Sequence, residues 1–250
     1  MSGSIALFMA GIIFIVTVVS GAIPFVLKLN TTGKYDFRVS EALANGIFLG
    51  AGLVHLLSDS ANGFTKAGIN YPLGFVICGA TFLLLLIPDH INFISNNKNR
   101  NQLTLIAITS NILLSIHGFF AGAALGITTT LSVSTVLFFA ILAHKWAASF
   151  SLAVHLNQSS LRLSSRIYLF SIFSLMVPLG IYVGHILQHQ FPGHIITQPI
   201  FAAIAAGTFI YLGTFHGFKK IMTQKSSASL VQYCYMVAGF TFMCLVAIWV

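Results

Sequence analysis

Two histidines stand where a lipid-embedded segment should hold none: His117, opening H-G-F-F-A-G-A-A-L-G, and His144, opening H-K-W-A-A-S-F-S-L. Each lies near the middle of an apolar stretch long enough to span a bilayer. Ionisable residues at membrane depth are costly, so they face a bundle interior or a polar path. Neutral imidazole is a ligand for Zn, Cu, Fe and Ni. A short loop joins the two segments, which predicts antiparallel neighbours with both histidines at similar depth, placed to share one ion. Each is also compatible with a structural histidine that bonds a neighbouring helix.

The residues beside them are small. Gly118, Ala121, Gly122, Ala123 and Ala124 on one segment, and Ala147, Ala148, Ser149 and Ser151 on the other, permit close helix approach or leave room for a path. Plain helix packing explains them equally well. Lys145 follows His144; a buried ammonium needs a partner, and its fixed charge could occupy the place of another cation. His55 and Asp59 are spaced i, i+4 and share a helix face, as a ligand pair at an outer mouth or as a surface hydrogen bond. Asp89 and His90 near one inner helix end, and His216 near another, could line an exit or mark the membrane interface. His185 and His189, also i, i+4, cluster with His194 as an external metal-gathering patch or a solvated loop. Pro178-Leu-Gly180 predicts a helix break, which frees backbone carbonyls where a cavity can use them.

The chain that must position these groups is 57% hydrophobic and 6% charged; soluble domains carry about 25% charged residues. A polytopic all-α membrane protein follows, read as one transmembrane domain over residues 1–250. A span needs about 20 mostly apolar residues. Eight candidates run about Ser4–Leu27, Glu41–Ala61, Tyr71–Ile94, Leu103–Ile127, Ser132–Leu156, Ile167–Gln188, Pro199–Phe218 and Leu230–Val250. The N-terminal stretch has no basic n-region or small-residue cleavage site and reads as a retained helix. Cys78, Cys234 and Cys244 form no C-x-x-C pair and read as small packing residues.

The net charge of +8 invites a nucleic-acid reading, which the distribution excludes. Ten of the twelve cations lie in odd-numbered loops: Lys28, Lys34, Arg38, Lys98, Arg100, Arg162, Arg166, Lys219, Lys220 and Lys225. Even loops carry Lys66 alone, and Lys145 is within a span. By the positive-inside rule the odd loops are cytoplasmic and both termini extracytoplasmic. No phosphate-cradling loop, Ser-His-Asp arrangement or buried carboxylate pair is legible, so an enzyme is not expected.

Together the segments resemble the Zrt/Irt-like (ZIP) family of divalent-metal transporters along the length of the chain. Gly50-A-G-L-V-H-L-L-S-D59 resembles the family's second-helix G-x-x-x-x-H-L-L-P-D. Tyr71-P-L-G-F through Pro88-Asp-His resembles its third helix. The His117 segment resembles H-S-x-x-E-G-L-x-x-G, and the His144 segment the fifth-helix motif of the branch in which Lys follows His. Val177-P-L-G-I-Y-V-G184 resembles the sixth helix. Ala205-A-G-T-F-I-Y-L-G-T-F-H216 resembles A-A-G-T-F-L-Y-V-x-x-x-E in the seventh.

The resemblance implies eight helices with both ends outside and a metal site between helices four and five. It makes His117 and His144 ligands, places His55 and Asp59 on the pathway, and lets the Lys145 ammonium stand in for a second metal. The chain departs from the pattern at three acids: Ala121, Ala148 and His216 stand in their places. Two imidazoles alone make a sparse Zn²⁺ shell, which water, His55, Ser149 or Ser151 could complete. The expected cargo is Zn²⁺ or another divalent transition metal, with no prosthetic group, admitted to the cytoplasm across a plasma or inner membrane by alternating access. The partners are metal ions and lipid; a homodimer is compatible with the sequence. Two rival readings are a non-transporting sensor or scaffold and a membrane metalloenzyme or haem protein.

Overall fold

The computed structural model describes residues 3–26, 38–94, 102–190, 196–214 and 228–248. Its helices are α1 (Gly3–Val26), α2 (Arg38–Gly50), a π-helical segment (Ala51–Leu56), α3 (Leu57–Lys66), α4 (Leu73–Ile94), α5 (Gln102–Ile127), α6 (Leu131–Gln158), α7 (Leu163–Gln190), α8 (Thr197–Tyr211) and α9 (Ala228–Val246). The α2–π–α3 run forms one rod, so the helices fall on the eight expected spans. Among the described residues, five are long and apolar enough to cross a membrane: Gly3–Val26, Arg38–Lys66, Leu103–Ile127, Leu131–Gln158 and Leu163–Gln190.

Helix is forced here because lipid offers backbone N–H and C=O groups no partners. Hydroxyls obey the same constraint by bonding back one turn. Thr17 Oγ1 donates to the Ile13 carbonyl at 2.7 Å, Thr81 Oγ1 to Ile77 at 2.8 Å and Ser174 Oγ to Phe170 at 2.8 Å. Large apolar residues such as Leu7, Leu84 and Tyr168 point outward, while His117, His144 and Lys145 are at most 3% exposed. The polar groups are therefore inside and the greasy ones outside, the arrangement lipid rewards.

Lipid tails are as apolar as leucine, so helices associate through close packing, not hydrophobic expulsion. The α5–α7 pair shows this most clearly. Gly122 and Gly126 on α5 face Gly180 and Gly184 on α7. A methyl on any of the four would strike a carbonyl of the other helix: Val177, Ile181, Phe119 or Ala123 respectively. Gly46 of α2 and Gly239 of α9 make the same reciprocal contact, against Met236 and Leu43.

Two packed groups result. α1, α5, α6 and α7 pack together, and the α2–π–α3 rod packs with α4, α8 and α9. The groups meet where α5 touches α8 and α6 touches α2.

The predicted break at Pro178 does not occur: α7 runs unbroken from Leu163 to Gln190 with Pro178 inside it. Pro178 removes one backbone donor, yet the helix continues through it, with α5 in close contact on the adjoining turns at Gly180 and Gly184.

Candidate metal centre

α5 and α6 are antiparallel, as the short loop predicts, and polar rungs cross between them. Thr104 Oγ1 lies 2.8 Å from Ser160 Oγ, and Ser110 Oγ lies 3.2 Å from His155 Nδ1. Higher on the same seam the His117 and His144 rings stand 5.6 Å apart, centroid to centroid, at 74°. Two imidazoles on one tetrahedral Zn²⁺ at about 2.0–2.1 Å place their ring centres about 5 Å apart. The pair is therefore close to chelating separation without further folding.

The ring orientations leave ligand atoms available. His117 Nδ1 lies 3.2 Å from the Ala205 carbonyl and 3.2 Å from Thr208 Oγ1. Thr208 Oγ1 itself donates to the Ala205 carbonyl at 2.7 Å. A carbonyl only accepts, so Nδ1 carries the proton and Nε2 the lone pair. His117 Nε2 is buried without a hydrogen-bond partner, and so is His144 Nδ1. The Ala140 carbonyl approaches the His144 ring without meeting hydrogen-bond geometry. Unpaired buried nitrogens are costly unless something else binds them.

Phe209 of α8 holds both rings. It stacks on His117 at 3.5 Å and 19°, and meets His144 edge-on at 4.9 Å and 89°. Its other neighbour is Phe48 of α2, stacked at 5.1 Å.

His55 and Asp59 lie together as their spacing predicts, with His55 Nδ1 3.4 Å from Asp59 Oδ2. His55 sits in the π-helical turn. A cleft of about 550 Å³ is lined by His55, Asp59, Lys66, Ser132 and Ala121, and it reaches His144. The space beside Ala121, where a glutamate side chain would extend, is part of that cleft.

Lys145 packs its ammonium 3.7 Å over the Phe173 ring of α7 and faces Gly118 of α5. That contact is a cation–π pair in a dry setting. The ammonium acts electrostatically on both imidazoles.

Other expected groups are placed elsewhere. Ser149 Oγ donates to the Thr17 carbonyl of α1 at 2.5 Å, so it ties α6 to α1 and is turned from the histidines. Ser151 is buried in α6. His185 and His189 share a face of α7 with rings 4.5 Å apart, distant in sequence from the pair. The side chains of Asp89 and His90, and all of His194 and His216, lie outside the described residues. Among the described residues no group of three or more His, Cys, Asp or Glu converges on one point.

Thr208, Phe209 and Phe173 were not singled out from the sequence. The first two stand in the A-A-G-T-F run, which the sequence shows only as part of the seventh-helix resemblance.

The fold and the site define a polytopic helical membrane protein with an imidazole pair at its core. A family model described as ZIP Zinc transporter matches residues 93–247. The chain belongs to the ZIP zinc transporter family. Human "Zinc transporter ZIP2" is 34% identical over 266 residues, covering 85% of each chain. Zebrafish "Zinc transporter ZIP1" is 31% identical over 62% of this chain and 49% of its own length. "Protein zntD" of Dictyostelium discoideum is 32% identical over 62% of this chain and 24% of its own length. The chain thus spans about half or less of the length of these last two relatives.

Proposed function

We propose that this protein carries a divalent transition metal, zinc foremost, across the membrane into the cytoplasm, with His117 and His144 as the mid-depth ligands. One observation carries the reading. Two buried imidazoles stand edge-on with centroids 5.6 Å apart, close to chelating separation, each with a nitrogen lacking a hydrogen-bond partner. The names of the relatives support zinc as cargo.

The cleft from Lys66 and Ser132 to His144 supplies an approach from the even-loop side. The charge asymmetry of the loops makes that side extracytoplasmic, with both termini there. His55 and Asp59 capture the ion; His117 and His144 hold it between the two helix groups. Movement of one group against the other then exposes it to the opposite side. The metal is cargo, and Lys145 supplies the fixed charge that a second ion would bring.

A second reading is favoured by Ala121 and Ala148, which leave the pair without a carboxylate: a sensor that binds metal and does not pass it. Uptake of ⁶⁵Zn into proteoliposomes separates the two. Wild type should take up zinc at least tenfold faster than His117→Ala/His144→Ala. Equal flux removes the transport role of this pair, and binding without flux in the wild type selects the sensor.

A further inference from the structure

The acidic residues of the chain number four, and its single glutamate, Glu41, is not at the surface. Its side chain is 7% exposed, in the first turn of α2. Around it stand groups from two other helices, α5 and α6. His155 Nε2 of α6 is 3.8 Å from Glu41 Oε1. Gln158 Nε2 donates to the same oxygen at 3.3 Å. Ser110 of α5 pairs with His155 Nδ1 at 3.2 Å. A carboxylate, an imidazole, a hydroxyl and an amide from three helices thus meet at one place. Arg38, one turn before Glu41, is the cation nearest in sequence.

The register of this cluster against the histidine pair is informative. His155 follows His144 by eleven residues, three full turns, so both project from one face of α6 about 16 Å apart. Ser110 precedes His117 by seven residues, which returns α5 to the same face about 10 Å away. Both displacements run toward the odd-loop end of the bundle. The cluster therefore lies farther along the seam toward the odd-loop end, with the buried Ser151 on the same face of α6 between His144 and His155. Buried Leu113 and Leu114 of α5 and Ala148 and Leu152 of α6 lie in the same stretch, beside the hydroxyl of Ser151.

We propose that Glu41 and His155, with Ser110 and Gln158 behind them, form a second binding station for the divalent metal, on the release side of the histidine pair. The proposal rests on the transport reading above. It supplies what the histidine pair lacks, a carboxylate to balance the charge of a dication. The geometry agrees. At 3.8 Å the Glu41 oxygen and the His155 nitrogen are too far apart for a hydrogen bond. Two donors on one tetrahedral zinc stand about 3.3 Å apart, so a shift of about half an ångström seats an ion between them. Ser110 holds Nδ1 of His155 as Thr208 and Ala205 hold Nδ1 of His117, which turns Nε2 to the ion in both places. Two protein ligands make a weak site, which suits release.

The test is zinc titration of the purified full chain carrying His55→Ala/His185→Ala/His189→Ala, so that neither the capture pair nor the outer pair contributes. Adding His117→Ala/His144→Ala should leave one weak zinc per chain, and Glu41→Gln on top should abolish it. X-ray absorption of that remaining zinc should show one imidazole among oxygen donors. Glu41→Gln alone should leave zinc bound at the histidine pair while ⁶⁵Zn uptake falls at least fivefold. Should Glu41→Gln unfold, His155→Gln is read in the same way. Unchanged stoichiometry with Glu41→Gln, or a shell of two or more imidazoles, overturns the proposal. Wild-type uptake by His117→Ala/His144→Ala instead overturns the histidine-pair reading, whatever Glu41 does.

Discussion

The His117 imidazole lies flat on the Phe209 ring, with centroids 3.5 Å apart and planes 19° from parallel. Phe209 is fully buried and touches His144 with its edge, so one side chain of α8 sets the orientation of two ligands on α5 and α6. Phe209→Leu should keep the protein folded and loosen the pair, with zinc affinity falling several-fold. Phe209→Ala should also cost about 3–5 kcal/mol of stability through the cavity it leaves. Zinc titration and thermal unfolding in detergent read the two effects separately. Unaltered affinity in the leucine variant shows that the stack is packing only.

Thr208 and the Ala205 carbonyl fix the His117 tautomer. Thr208→Val is close in shape and removes the hydroxyl. Loss of such an outer contact typically costs 10–100-fold in metal affinity, and we expect the low end because the carbonyl remains. The check is competition with a zinc chelator of known affinity; no change there means that the carbonyl alone suffices.

Removing the Lys145 charge favours any other cation nearby. Lys145→Met keeps the length of the side chain and the contact with Phe173. Zinc affinity should rise about tenfold, the equivalent of about 1.4 kcal/mol. Calorimetric titration measures it, and an affinity that falls would mean that the ammonium helps hold the site together.

Imidazole ligates only when neutral, so protons and metal compete for the same lone pairs. Uptake should therefore weaken as the outside pH is lowered toward about 5. The sign is fixed by the chemistry: acidification adds protons to the ligands and none to the cargo. Flux at about pH 5 equal to that at neutral pH would mean that protons do not compete for these two imidazoles in that range.

Gly180 and Gly184 let α7 lie against α5. Gly180→Leu must displace α7 from the Phe119 carbonyl, and overpacking of this kind costs about 1–3 kcal/mol. Thermal unfolding should shift down by several degrees. Gly11, whose Cβ would meet nothing within 4 Å, is the control: Gly11→Ala should leave the unfolding temperature the same or higher.

The spans were legible because lipid imposes a length and a composition that can be read off the chain, and all eight expected segments carry helix. His117, His144, His55 and Asp59 were legible for the same reason, since a polar group in an apolar run is visible without a structure. Pro178 misled because local rules see the missing donor and not the neighbouring helix packed at Gly180 and Gly184, beside which α7 runs unbroken.

What the sequence by itself determined is therefore the number and order of helices, their membrane character and the identity of the buried imidazoles. Those properties depend on residues near one another in the chain. Tertiary structure alone decided which nitrogens lack a hydrogen-bond partner, that Phe209 and Thr208 position His117 from some ninety residues away, and that Ser149 is spent on α1. It also placed Glu41 beside His155, across 114 residues, on the seam the histidine pair begins. Those contacts form only when helices remote in sequence pack side by side, and no periodicity along the chain records which faces will meet.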